Sequence, residues 1–262
     1  MRRVLAHIAA VLATAVVSAC DSVTGPSTST LPGADTNPVF AMSVNDPGRL
    51  HNEVVRAYAA RRPLGGPAVT RADFVRTIVA ASNEAFAAEG LPPVIEARDV
   101  DRVLSMIYEL RRAGVFDFFS TKTGDPGAII DYWEAKGIVT AADAAEARGR
   151  LGLGTSAPHR SSPAVEPESG AMKVFDSVYV ASRDLWTHRR AENNLKRAGT
   201  GPKLLTRDET MFELDAIGTL FGWWLGGPAG GTFGGILFSV AFIEVPPDGG
   251  GGWDCSDYCN MG

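Results

Sequence analysis

The sequence predicts a mainly α fold: a small helical bundle, then a long helix and a Gly-rich helical hairpin. Three observations carry this. Apolar residues recur at three- and four-residue spacing, as in Val100, Val103, Leu104, Ile107 and Leu110. Asp-Pro and Thr-x-x-Asp starts and glycine stops bracket those runs at helix-length intervals. No window alternates apolar and polar residues convincingly, so a substantial sheet is not expected. The chain has 262 residues, 45% hydrophobic and 21% charged, which is too apolar for wholesale disorder. Its net charge of −5 and its lack of a Lys/Arg tract argue against a nucleic-acid partner.

Residues 46–152 read as the bundle. Asp46-Pro47 is an N-cap followed by Pro at N1, and the helix behind it carries His51, Val54, Val55 and Tyr58. Thr70-Arg71-Ala72-Asp73 resembles a capping box and opens a helix through Phe74, Ile78 and Phe86, stopped by Gly90 and Pro92-Pro93. The Val100–Leu110 helix should end with Gly114 at C′. Asp125-Pro126 starts a short helix with Ile129, Ile130 and Trp133, ended by Gly137. Thr140 opens one more, Ala-rich helix. The 130–151 stretch faintly resembles a short helical-hairpin module found at the ends of bacterial proteins, and no function is drawn from it.

Residues 153–171, rich in Ser, Pro and Gly, read as a linker. Residues 172–245 hold a long helix to about residue 197, then the hairpin, with Thr206-Arg207-Asp208-Glu209 as its capping box. Residues 216–243 contain no charged side chain and eight glycines. Gly218, Gly222, Gly226, Gly230 and Gly234 recur every four residues, with Gly227, Gly231 and Gly235 beside them. Residues four apart share a helix face, so this column is a groove into which another backbone fits. Gly226-Gly227-Pro228 should divide the run into half-helices of about 207–225 and 229–243, with Trp223 and Trp224 near the bend. The run resembles the glycine-zipper segments of some envelope lipoproteins and the Gly-rich membrane-active stretch of many small bacteriocins. That resemblance implies helix–helix packing, self-association or membrane contact through 216–243.

The first twenty residues suggest export. Arg2 and Arg3 precede an apolar run from Val4 to Val17, the pattern of a secretory signal peptide over 1–19. Val17-Ser18-Ala19-Cys20 resembles the lipobox of bacterial lipoproteins. The resemblance implies cleavage before Cys20, acylation of Cys20, and a membrane-anchored protein facing the periplasm or the exterior. Residues 20–45 then form the lipidated Cys and a flexible tether. The Gly-rich tail, 246–262, carries Cys255 and Cys259, a candidate disulfide in an oxidising compartment. A metal site using that pair with Asp254 and Asp257 is the weaker alternative, since no His is near.

Enzymatic motifs are missing from the sequence. It has no zinc-binding His-Glu-x-x-His, no Gly-x-Ser-x-Gly elbow and no Gly-Lys-Ser/Thr phosphate loop. No catalytic residue, metal ligand or cofactor is therefore assigned. The expectation is a non-enzymatic, lipid-anchored cell-envelope protein, with a bacteriocin-like effector and an enzyme of unrecognised class as alternatives. His51-Asn52 is the one polar spot marked for inspection. His188 reads as an extension of its helix's apolar line, and Asp99, Asp101, Glu109 and Asp131 read as solvated helix faces.

Overall fold

The computed structural model describes residues 37–64, 69–115, 125–153, 169–196 and 211–244, with side chains of the 169–196 segment described through 188. The fold is mainly α: the described residues form eight α-helices and a short 3-10 turn, with no strand among them. Their starts follow the caps in the sequence. Helix α1 (Pro47–Arg61) opens with the Asp46 carboxylate accepting from the Arg49 N–H at 2.9 Å. In α2 (Arg71–Ala88) the Thr70 hydroxyl accepts from Asp73 N–H and donates to its carboxylate. Thr140 repeats this at α5 (Ala141–Arg150), and Pro sits in the first turn of α4 (Pro126–Ala135). Helix α3 (Ala97–Arg112) buries Val100, Val103, Leu104, Ile107 and Leu110, the expected stripe.

Helix α6 (Gly170–Lys196) starts two residues before its expected position. Helix α7 (Met211–Gly226) and helix α8 (Pro228–Glu244) form an antiparallel hairpin. Gly227 alone separates them, at φ 100°, a conformation open to glycine and strained for other residues. The division expected at Gly226-Gly227-Pro228 is therefore present. Pro228 occupies N1 of α8, where no N–H is needed and its fixed φ suits the helix. The Thr206 capping box lies outside the described residues.

The hairpin is the centre of the described helices. Helix α8 packs against α7, α1, α6, α3 and the 3-10 turn, and every one of its residues except Pro228 and Ile243 is buried. A helix apolar on all sides is stable in water only when it is enclosed. Helix α4 closes one side, with Trp133 set edge-on to Phe238 at 5.6 Å and stacked on Phe221 at 6.0 Å. Helices from both sides of the 153–171 segment therefore share one hydrophobic core.

The 3-10 turn (Pro38–Ala41) caps the elbow between α7 and α8. Phe40 is 1% exposed and stacks on Phe233 at 5.3 Å between ring centres. Asn37 holds the turn in place by donating to the Val94 carbonyl and to the Asp99 carboxylate, both at 2.8 Å. Asp99 also accepts from the Glu96 N–H at 2.9 Å. Its place on a solvated face is therefore corrected: it is 1% exposed, because the turn covers it.

Candidate functional site

The glycine column faces inward, between α7 and α8. A Cβ on Gly218 would lie 2.6 Å from the Gly234 carbonyl oxygen and 2.9 Å from Gly235 Cα. One on Gly222 would strike the Gly230 carbonyl, and one on Gly234 would strike that of Gly218. A Cβ on Gly230 would lie 2.6 Å from the Gly222 carbonyl oxygen, while one on Gly226 would lie 2.5 Å from Phe40 Cβ. Four of the five ridge glycines thus line the contact between the two helices, and the fifth receives the 3-10 turn. No described helix is long and apolar enough to cross a membrane.

Only two ionisable side chains occur in 214–244: Asp215 in the first turns of α7 and Glu244 at the end of α8. Both lie at the open end of the hairpin, both are buried, and both are met by a basic residue in or just after α1. Arg62 Nε lies 3.3 Å from Glu244 Oε2, and the Glu244 side chain is 2% exposed. Tyr58 sits beside them. Burial, then the Glu244 charge, push its phenol far above the usual range.

The Asp215 end is the most polar place in the core. His51 and Asp215 are both fully buried, with His51 Nε2 3.2 Å from Asp215 Oδ1. Two groups of α6 serve the second carboxylate oxygen. The Ser182 hydroxyl donates to it, and so does Trp186 Nε1 at 2.8 Å. On the far side of the imidazole, Nδ1 is 3.0 Å from Asn52 Oδ1, and Asn52 Nδ2 donates to the Ala181 carbonyl at 2.9 Å. That last bond sets the amide orientation, so Asn52 presents an oxygen to His51. Both ring nitrogens then face acceptors, the arrangement that suits an imidazolium.

Electrostatics agree with this geometry. Burial opposes charge on the His51 ring, but the Asp215 charge and the hydrogen bonds of Asp215 and Asn52 outweigh it, and the pKa is raised. A folded-state pKa above the unfolded one stabilises fully below about 6.5, and that contribution is lost as pH rises through the folded value. Thermal stability should therefore fall as pH climbs above about 6.5. His51→Gln should flatten that slope in a melting-temperature series, and an unchanged slope would contradict the paired imidazolium.

The order of bonds differs from a catalytic triad. Ser182 donates to Asp215 and not to His51, so nothing here would activate its oxygen as a nucleophile. Hydrogen bonds tie α1 to α6 and α6 to α7, and the His51–Asp215 pair closes the loop from α1 to α7. A shallow groove lies elsewhere, between α2 and α3. It is about 440 Å³, with an apolar floor of Val75, Val79 and Ala80, and Arg71 and Asp101 pair at its rim.

Of the marked residues, His51 and Asn52 lie in this cluster. His188 is exposed, with Nδ1 2.7 Å from the Asp184 carbonyl, which corrects its place on the apolar line. Asp101, Glu109 and Asp131 pair at the surface with Arg71, Lys136 and Arg148. Cys20, Cys255 and Cys259 lie outside the described residues. Asp215, Ser182 and Trp186 were missed by sequence reasoning, although an acid at the edge of the charge-free 216–243 run was a usable signal for Asp215. No protein-family model, curated protein or solved structure matches this chain.

Proposed function

We propose that this is a lipid-anchored, non-enzymatic protein of the bacterial cell envelope, held to the membrane through acylated Cys20. In this reading 216–243 works through helix–helix association, and the partner helices are its own. The observation that carries that part is the set of backbone-to-backbone approaches at Gly218, Gly222, Gly230 and Gly234. The anchor rests on the basic start, the apolar run and the Val17-Ser18-Ala19-Cys20 lipobox, which agree in register. The enclosed His51–Asp215 cluster fits the non-enzymatic reading, since none of its side chains reaches the surface.

Expression in a bacterial host tests the anchor. The wild-type chain should fractionate with membranes and carry an acyl adduct on Cys20 by mass spectrometry. Cys20→Ser should be released in soluble form. A wild-type chain without the adduct would remove this reading.

A second reading is a membrane-active effector. It is favoured by a hairpin that is apolar over most of its surface and whose two buried carboxylates, Asp215 and Glu244, both meet basic partners from one stretch of chain, His51 and Arg62. Release of α1 would then free the hairpin for a bilayer. Dye release from vesicles by the Cys20→Ser chain would support this reading, and intact vesicles would remove it.

A further inference from the structure

We propose that the elbow of the α7–α8 hairpin, with the 3-10 turn seated on it, is the face of the folded unit that lies against the lipid bilayer. The proposal rests on the Cys20 anchor and adds an orientation to it.

The first observation is where the chain enters the fold. Asn37 is fixed to Val94 and Asp99, and Phe40 fills the space beside Gly226 and Gly230. Ala41 Cα lies 3.6 Å from where a Gly227 Cβ would be. The first described residues are therefore bound to the elbow itself. Cys20 precedes Asn37 by 17 positions. A chain of that length reaches at most about 60 Å. An acyl group on Cys20 thus brings this end of the unit to the lipid surface at high effective concentration. A contact too weak to hold a free protein then becomes intramolecular.

The second observation is the chemistry of that surface. Neither 37–45 nor 216–243 contains an Asp, Glu, Lys or Arg. Met42 and Val94, two of the three exposed large hydrophobic residues among those described, lie on or beside the turn, at 39% and 45% exposure. Pro38 and Ala41 are exposed as well, and Trp224 and Pro228 are partly exposed at the elbow. Tryptophan and small apolar groups without charge suit the interfacial layer of a bilayer. The Arg98–Glu96 pair beside Val94 falls at the margin of this face, where headgroups would meet it. The opposite end of the hairpin holds Asp215 and Glu244 with their polar partners, and suits water.

The test uses the acylated mature protein in vesicles of phosphatidylethanolamine and phosphatidylglycerol that contain a shallow spin-labelled lipid. Tryptophan emission is read in a Trp253→Phe background. Trp133 and Trp186, at 0% and 3% exposure, serve as the enclosed reference. Lipid quenching of the emission is expected, with loss of the quenchable part in the Trp223→Phe/Trp224→Phe variant. Met42→Asp/Val94→Asp, which changes only exposed side chains, should reduce quenching and leave the melting temperature unchanged. Mass spectrometry of Cys20 is read on the same sample. Unquenched emission from a chain carrying the adduct overturns the orientation and leaves the anchor standing. Absence of the adduct overturns both.

Discussion

Gly222→Val is expected to abolish cooperative folding. A Cβ at this position would strike the Gly230 carbonyl and lie 3.0 Å from Gly231 Cα. These are backbone atoms of a helix enclosed on all sides, so they cannot swing away as a side chain can. Overpacking a close-packed interior costs about 1–3 kcal/mol when neighbours can shift, and more when they cannot. Valine adds two further carbons to the clash. The gain in helix propensity on replacing glycine is at most about 1 kcal/mol and does not offset this. Gly149→Ala is the matched control. That glycine lies in α5 with nothing within 4 Å of its virtual Cβ. It should raise stability by up to about 1 kcal/mol. Thermal melts followed by circular dichroism separate the two. A Gly222→Val protein that melts like wild type would show that the helices do not approach this closely.

Asp215→Ala is expected to cost about 3–5 kcal/mol, the range for removing one partner of a buried ion pair. The Ser182 hydroxyl and the Trp186 indole lose their acceptor together, and the His51 ring loses its charge partner. Asp215→Asn keeps the shape and one acceptor oxygen, and should cost less. A double-mutant cycle with His51→Gln isolates the pair, and a large coupling energy is expected because the two residues are in contact. Chemical denaturation gives these values. Additive single effects would mean that His51 and Asp215 do not interact in solution.

Much of the fold was legible because local rules and burial agree. Asp46-Pro47, Thr70, Asp125-Pro126 and Thr140 each cap the helix they announce, and the Val100–Leu110 stripe is the buried face of α3. Gly226-Gly227-Pro228 was read as a break, and the break is there: α7 ends at Gly226, Gly227 makes the turn, and Pro228 begins α8, where its missing N–H costs nothing. The column of glycines indicated close backbone approach, but spacing alone does not say whether the approaching backbone is in the same chain, another copy or absent. The antiparallel return of α8 along α7 decides that question, and it depends on a one-residue turn.

The polar cluster was half legible. His51 and Asn52 are adjacent in the chain and stood out on an apolar face. Their partners lie on α6 and α7, more than a hundred residues away, and only the shared core brings them together. Asp99 was misread for the same reason. Its spacing on α3 is that of an exposed face, and the cover comes from Asn37, far off in sequence.

The central claim is that the glycine hairpin is an internal core element. Hydrogen exchange read by mass spectrometry on the Cys20→Ser chain, with and without phosphatidylethanolamine–phosphatidylglycerol vesicles, tests it most directly. The amides of α8 should be the slowest in the molecule, exchanging only through global unfolding, and vesicles should leave them unchanged. Fast exchange across residues 228–244, or a change in their exchange on adding vesicles, would show a hairpin that opens to water or lipid and would contradict the account.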